Sequence, residues 1–280
     1  MSNAQRRTVL ITGTSSGIGR ACVDAFANAG WNVLATMRSP ERHAAMARPA
    51  AARSGAVELA RLDVAEQASI DAAFAIAVER FGSVDCVVNN AGYALTGVFE
   101  EMTDEQLLRQ LDTNVLGVMR VCRAAIAHMR PRRAGTIVNV ASMGGRFAVP
   151  LYSPYHATKW AVEGFSESLQ FELRQFGIRV RIAEPGPVRT EFYGDSMTHE
   201  AGAGLDDYGD YVMRAMLRMN ASAAGGASPE RVARSIVRAA QSRGWRLRWP
   251  TDPTSRLLLT LRAVLPPRAF ALLVRHATGG

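Results

Sequence analysis

The amino-acid sequence predicts an α/β domain, doubly wound, with a central parallel sheet and helices on both faces. Three observations carry that prediction. Short β-branched runs alternate with longer amphipathic stretches along most of the chain. The first run joins the first amphipathic stretch through a glycine-rich turn, Thr12-Gly13-Thr14-Ser15-Ser16-Gly17-Ile18-Gly19. The chain has 280 residues, 48% hydrophobic and 21% charged, which suits one larger domain with a full core. With 24 Gly, 12 Pro and 3 Cys, the same balance excludes a disordered chain, a fibre and a disulfide scaffold.

The elements follow in order. Thr8–Thr12 is the first strand, and residues 17–30 form a helix closed by a glycine. A strand over 31–37, an Ala-rich helix over 41–53, a strand over 57–62 and a helix over 66–81 come next. Residues 84–89 make a fourth strand, 104–130 a long helix and 136–142 a fifth strand. A second long helix over 152–176 leads to a sixth strand, Ile178–Glu184, and crossovers this regular imply one doubly wound domain over 1–280. Residues 186–227, rich in Gly, Ala, Asp, Tyr and Met, read as a long mobile segment. A helix, Pro229–Gln241, and an Arg-rich tail finish the chain within 228–280.

Charge and cysteine usage narrow the function classes. Net charge is +8, but residues 231–280 hold ten Arg and one Asp, so the preceding 230 are close to neutral. No helix-turn-helix, zinc-finger or aromatic-basic pattern accompanies that tail, so specific nucleic-acid binding is not expected; peripheral contact with an anionic membrane is open. Cys22, Cys86 and Cys122 have no metal-type spacing, and no metal site is expected. Their odd number suits a reducing compartment. The first residues lack a signal-peptide pattern, and the apolar stretch 257–274 is broken by Arg262, Arg268 and Pro266-Pro267, so no transmembrane span and a cytoplasmic location are expected.

The glycine turn lets the backbone approach a pyrophosphate, whose charge meets free N–H groups and the positive end of a helix dipole. Gly13, Ser15, Ser16, Gly17, Ile18 and Gly19 are therefore candidate dinucleotide-binding residues. Its spacing, Gly-x3-Gly-x-Gly, differs from Gly-x-Gly-x2-Gly. At the tip of the second strand, residues 33–40 contain no acid to take a ribose 2′-hydroxyl, whereas Arg38 suits a 2′-phosphate. NADP(H) is thus expected over NAD(H). Of the 33 basic residues, only Lys159 is a lysine, and it stands one helical turn after Tyr155, on the same face. An ammonium beside a phenol stabilises the phenolate, and bringing a phenol from pKa near 10 to about 7 takes roughly 4 kcal/mol.

The glycine pattern, with Asn89-Asn90-Ala91-Gly92, Asn114, Ser142, Tyr155-x3-Lys159 and Pro185-Gly186, resembles the short-chain dehydrogenase/reductase family in its short, single-domain Rossmann form, over about residues 7–190. The run from Tyr155 to Glu167 is most similar to its 17β-hydroxysteroid and retinol dehydrogenase branch. The resemblance implies Tyr155 as proton donor and acceptor, Lys159 as its charge partner and ribose ligand, Ser142 as hydrogen-bond donor to the substrate oxygen, and Asn114 as holder of a water in the proton path. It also implies that Asp63 and Val64 lie at the adenine, that Asn90, Ala91 and Gly92 lie beside the nucleotide, and that Pro185, Gly186, Val188 and Thr190 lie near the nicotinamide.

The resulting expectation is an NADP(H)-dependent oxidoreductase interconverting a carbonyl and an alcohol. Met143, Phe147, Val149, Tyr152, Phe192, Tyr193, Met197, Tyr208, Tyr211 and Met216 are candidate pocket residues, and their character suggests an apolar substrate: a steroid, retinoid, lipid or aromatic ketone. By resemblance, the two long helices form a homodimer or homotetramer. Two other readings stay open at this point. One is a nucleotide-binding regulator or membrane-associated scaffold without turnover. The other is a sugar-nucleotide epimerase or dehydratase, which shares Tyr-x3-Lys but is disfavoured by length and glycine spacing.

Overall fold

The computed structural model describes residues 6–47, 55–190, 197–200 and 206–279. Nine strands are assigned there: β1 Thr8–Thr12, β2 Asn32–Met37, β3 Val57–Arg61, β4 Cys86–Asn89, β5 Ala94–Gly97, β6 Gly135–Val140, β7 Ile178–Glu184, β8 Met197–Glu200 and β9 Arg248–Pro250. The α-helices are α1 Gly17–Asn28, α2 Gln67–Phe81, α3 Asp104–Leu111, α4 Gly117–Met129, α5 Ser153–Arg174, α6 Gly209–Ala224, α7 Pro229–Gln241, α8 Pro253–Val264 and α9 Pro267–Thr278.

Seven strands form a parallel sheet in the order β3-β2-β1-β4-β6-β7-β9. The order reverses between β1 and β4, and a crevice opens there at the carboxyl ends of the strands. Strands buried on both faces need continuous apolar runs, and all five residues of β1, Thr-Val-Leu-Ile-Thr, are buried. One face packs on α2, α4 and α5 through Ile70, Ala73, Val121, Val162 and Leu169. The other packs on α1 and α7 through Val23, Phe26, Val232 and Ile236. The doubly wound reading is therefore what the chain builds.

Local chemistry sets most boundaries. Gly82, at φ +82°, caps the end of α2. Thr103 and Gln106 close a capping box at the start of α3, and the Ser228 side chain accepts the Arg231 N–H ahead of Pro229 to start α7.

Several expectations are corrected. The helix placed at 41–53 is a 3-10 run, Pro40–Ala47, among the described residues. The long helix at 104–130 is interrupted by a π turn, Asp112–Leu116, that joins α3 to α4. The stretch 186–227 contains the 16-residue helix α6, an element the sequence did not lead one to place there. The Arg-rich tail is two helices, each beginning at a proline. A small parallel pair, β5 with β8, and the edge strand β9 were not anticipated.

Candidate active site

The turn between β1 and α1 is built for close approach. Gly13 has φ +67°, and a Cβ there would lie 2.8 Å from the Ala91 Cα. A Cβ on Gly19 would meet the Gly13 carbonyl oxygen at 2.1 Å, so the loop folds tightly onto the helix start only because both are glycine. Thr14 ties the loop to β2 through its N–H and hydroxyl, both donating to Thr36 O at 3.1 Å. Asn90 donates from Nδ2 to Thr12 O at 3.1 Å and Gly13 O at 2.9 Å, fixing the β4 turn against it. Ser16, the residue before α1, makes no side-chain cap, so the first N–H groups of α1 are left for another acceptor. That arrangement fits a pyrophosphate.

A cavity of about 780 Å3 runs from this loop along the strand ends. Gly13, Ser15, Ser16, Gly17, Ile18, Arg38, Asp63, Val64, Asn90, Ala91, Gly92, Ser142, Tyr155, Lys159, Pro185, Gly186, Val188 and Thr190 all line it. Residues far apart in sequence converge because most of them follow strands of one parallel sheet, while Tyr155 and Lys159 reach the same edge from the first turns of α5. Gly19 and Asn114 lie behind the lining.

Tyr155 and Lys159 sit one turn apart on α5, and the Lys159 Nζ is 5.6 Å from the centre of the Tyr155 ring. The ammonium donates to Val140 O at 3.0 Å, at the end of β6. Burial pushes its pKa down to about 8, so it keeps its charge at pH 7 in an environment that resists it. Ser142 Oγ accepts the Gly144 N–H at 3.0 Å, which leaves its O–H to donate elsewhere. Asn114, at the centre of the π turn, accepts the Tyr93 N–H at 3.1 Å and donates to Tyr93 O at 2.8 Å and Thr158 Oγ1 at 3.2 Å. Both amide hydrogens are thereby used on protein, and Oδ1 retains one lone pair. A helix interruption of this type recurs at functional sites, and here it lets the amide reach across to α5.

Two contributors carried no role in the sequence reading. His156 accepts the Val149 N–H on Nε2 at 2.9 Å, so Nδ1 bears the proton and donates to Gly144 O at 2.8 Å. Burial pushes its pKa down, keeping the ring neutral as it pins the Ser142 loop to α5. Its place beside Tyr155 was the only sequence signal. Asp252, the single acid of the tail, accepts the Gly186 N–H on Oδ2 at 2.8 Å and caps α8 through the Ser255 N–H at 2.9 Å.

Of the expected pocket residues, Met143, Phe147, Val149 and Tyr152 line the cavity. Met216 lines a small separate cleft with Met219 and Leu151. Tyr208 lies elsewhere, beside Glu100, and Tyr211 is not part of the lining. Phe192, Tyr193 and the Met197 side chain lie outside the described residues. The tail supplies lining that the sequence reading omitted: Leu258, Leu273, Val274 and Ala277, with Met219 from α6. Among the described residues, no group of three or more His, Cys, Asp or Glu is gathered to hold a metal, and no helix is long and apolar enough to cross a membrane.

Comparison with known proteins accords with this geometry. Residues 7–201 match the family model described as short chain dehydrogenase. The chain is 34% identical to retinol dehydrogenase 8 of Bos taurus over 282 residues, covering 96% of this chain and 89% of that one. A crystal structure of a short-chain dehydrogenase from Streptomyces avermitilis matches with a TM-score of 0.79 at 33% identity, covering 100% of this chain and 99% of the other. The 3-ketoacyl-(acyl-carrier-protein) reductase from Brucella melitensis, solved with NADH, has a TM-score of 0.72 at 25% identity, covering 88% and 96%. The fold is thus one that binds a nicotinamide cofactor, and the chain, an oxidoreductase by descent, belongs to the short chain dehydrogenase family.

Proposed function

We propose that the protein is an NADP(H)-dependent oxidoreductase that interconverts a carbonyl and an alcohol on an apolar substrate. The observation that carries this reading is the pairing of Tyr155 with a buried ammonium, on one helix face, in the cavity that begins at the glycine turn. The dinucleotide, when bound, supplies or accepts the hydride. Every other step belongs to the chain.

The first N–H groups of α1 and the glycine turn hold the pyrophosphate, and Arg38, at the tip of β2, meets a 2′-phosphate. Lys159 holds the ribose and, by its charge, stabilises the Tyr155 phenolate. In reduction Tyr155 gives its proton to the substrate oxygen; in oxidation it takes that proton back. Ser142 donates its O–H to the same oxygen as charge builds there, in a site shielded from water. Asn114 offers its remaining Oδ1 lone pair to a water that reconnects Lys159 with solvent.

Substrate class rests on the apolar part of the lining, Leu95, Phe147, Val149, Leu258, Leu273 and Val274, beside which the lining cations Arg109 and Arg218 are already engaged by Glu105 and by the His276 carbonyl. The exposed Leu108, Leu111 and Trp160 on α3–α5 suit self-association as a dimer or tetramer. A regulator without turnover is the weaker reading, since a chain freed from catalysis has no reason to bury a lone ammonium at a cost.

The test is a panel of steroid, retinoid, aliphatic and aromatic ketones and alcohols, followed by NADPH absorbance. Turnover of apolar members is expected. Activity confined to small polar or carboxylated carbonyls overturns the substrate class, and no turnover with any member overturns the enzyme reading.

A further inference from the structure

The last two helices put apolar side chains into solvent beside the cavity that their Leu258, Leu273 and Val274 line. Leu257 and Val264 lie seven residues apart on one face of α8 and are 59% and 69% exposed. On α9, Arg268, Leu272 and Arg275 share a face by their spacing, with Leu272 58% exposed. Leu273 is partly exposed and also lines the cavity, so the apolar surface continues inward.

These helices are a fixed platform. Phe270 is buried and packs edge-on against Phe147 at 5.2 Å, Asp252 holds Gly186, and Arg218 of α6 donates to His276 O. The charge on the platform has one sign: residues 253–278 contain four arginines and no acid. None of the ion pairs among the described residues involves those four.

We propose that the α8–α9 face docks on an anionic phospholipid bilayer, with Leu257, Val264 and Leu272 at the acyl boundary and Arg256, Arg268 and Arg275 against the headgroups. Alternating leucine and arginine is the chemistry such an interface takes. A second copy of this chain fits worse, because a two-fold contact sets the arginines of one face against the same arginines of the other. Helices of 12 residues cannot span a bilayer, so the contact is peripheral. Docking sets the cavity beside the lipid, and an apolar substrate then enters without crossing water. That consequence rests on the substrate class proposed above, whereas the docking itself does not.

The test is co-sedimentation of the full chain, without substrate, with vesicles of phosphatidylcholine alone and with about 30% phosphatidylglycerol. The anionic vesicles are expected to bind about tenfold more tightly than the neutral ones, with binding lost on raising salt. The Leu257→Asp/Leu272→Asp variant should lose about tenfold in that affinity while keeping its melting temperature and NADPH binding. Should that variant fail to fold, Arg268→Glu/Arg275→Glu reads the same surface by charge alone. Equal partition of the wild type between the two vesicle types overturns the proposal, as does undiminished binding by a folded variant. Loss of self-association in the variant, without vesicle binding by the wild type, assigns the face to a second copy and also overturns it. Vesicle binding is read without turnover, so failure here leaves the oxidoreductase reading standing, and a silent ketone panel leaves the docking standing.

Discussion

Lys159 donates its ammonium to the Val140 carbonyl at 3.0 Å, at the end of a central strand, with the Tyr155 ring 5.6 Å away. The charge is held where water is scarce, and burial has already brought its pKa down to about 8. A group with a depressed lysine pKa costs stability while it must stay charged. The unfolded chain holds that proton up to about pH 10.5, so stability rises with pH between about 8 and 10.5 and the cost is fully present below about 8.

Replacing the ammonium by an apolar isostere should therefore stabilise the cofactor-free protein. Lys159→Met is expected to gain about 1–3 kcal/mol at pH 7 in urea unfolding, with the gain shrinking as pH approaches 10. Turnover should fall by about 10²-fold or more. A variant less stable than wild type at pH 7 contradicts the buried-charge account.

Cofactor choice is separable from chemistry. Arg38→Ala should weaken NADPH binding about tenfold to hundredfold, as loss of charge-assisted hydrogen bonds does, and leave NADH binding within a factor of about three. Fluorescence titration reads both. Equal affinity of the wild type for the two dinucleotides would refute the NADP preference.

Asp252 links the tail to the site. Asp252→Ala removes the cap of α8 and leaves the Gly186 N–H without its carboxylate, and should cost about 2–4 kcal/mol of stability. Asp252→Asn keeps one oxygen acceptor and should cost about half as much. Melting curves of the two variants check the order. An alanine variant as stable as the asparagine one removes the Gly186 contact from the account.

The parallel-sheet core was legible because its signals are local. Thr8–Thr12, Ile178–Glu184 and Pro229–Gln241 are bounded by turn and cap residues that act within a few positions, and the structure ends them at the same residues. The site residues converge for a reason largely readable in sequence: the glycine turn, Arg38, Asp63, Asn90, Ser142 and Pro185 each follow a strand of one sheet, and Tyr155 and Lys159 lie in the first turns of α5. What escaped depended on longer range. β9 is three residues, Arg-Trp-Pro, and exists by pairing with β7 across Glu184↔Pro250. α6 carries Val212, Ala215, Met216, Met219 and Ala223 at helical spacing, but it buries only Ala215 and Ala223, and the Gly, Asp and Tyr around it signal a loop more strongly than that short stripe signals a helix. In the tail, Pro253 and Pro267 open helices in the first turn, where proline is favoured, so the Pro266-Pro267 pair both breaks the apolar stretch and starts α9. His156 looked like any residue of the α5 face until the Ser142 loop folded over it.

The most direct measurement is single-turnover hydride transfer by Tyr155→Phe, with NADPH binding titrated alongside. Removing one hydroxyl from a ring already seated beside Tyr152 and His156 leaves the cofactor cradle in place. The expected result is NADPH affinity within about threefold of wild type and hydride transfer slower by about 10³-fold or more. Transfer within about tenfold of wild type, at undiminished NADPH affinity, would show that the proton travels by another route.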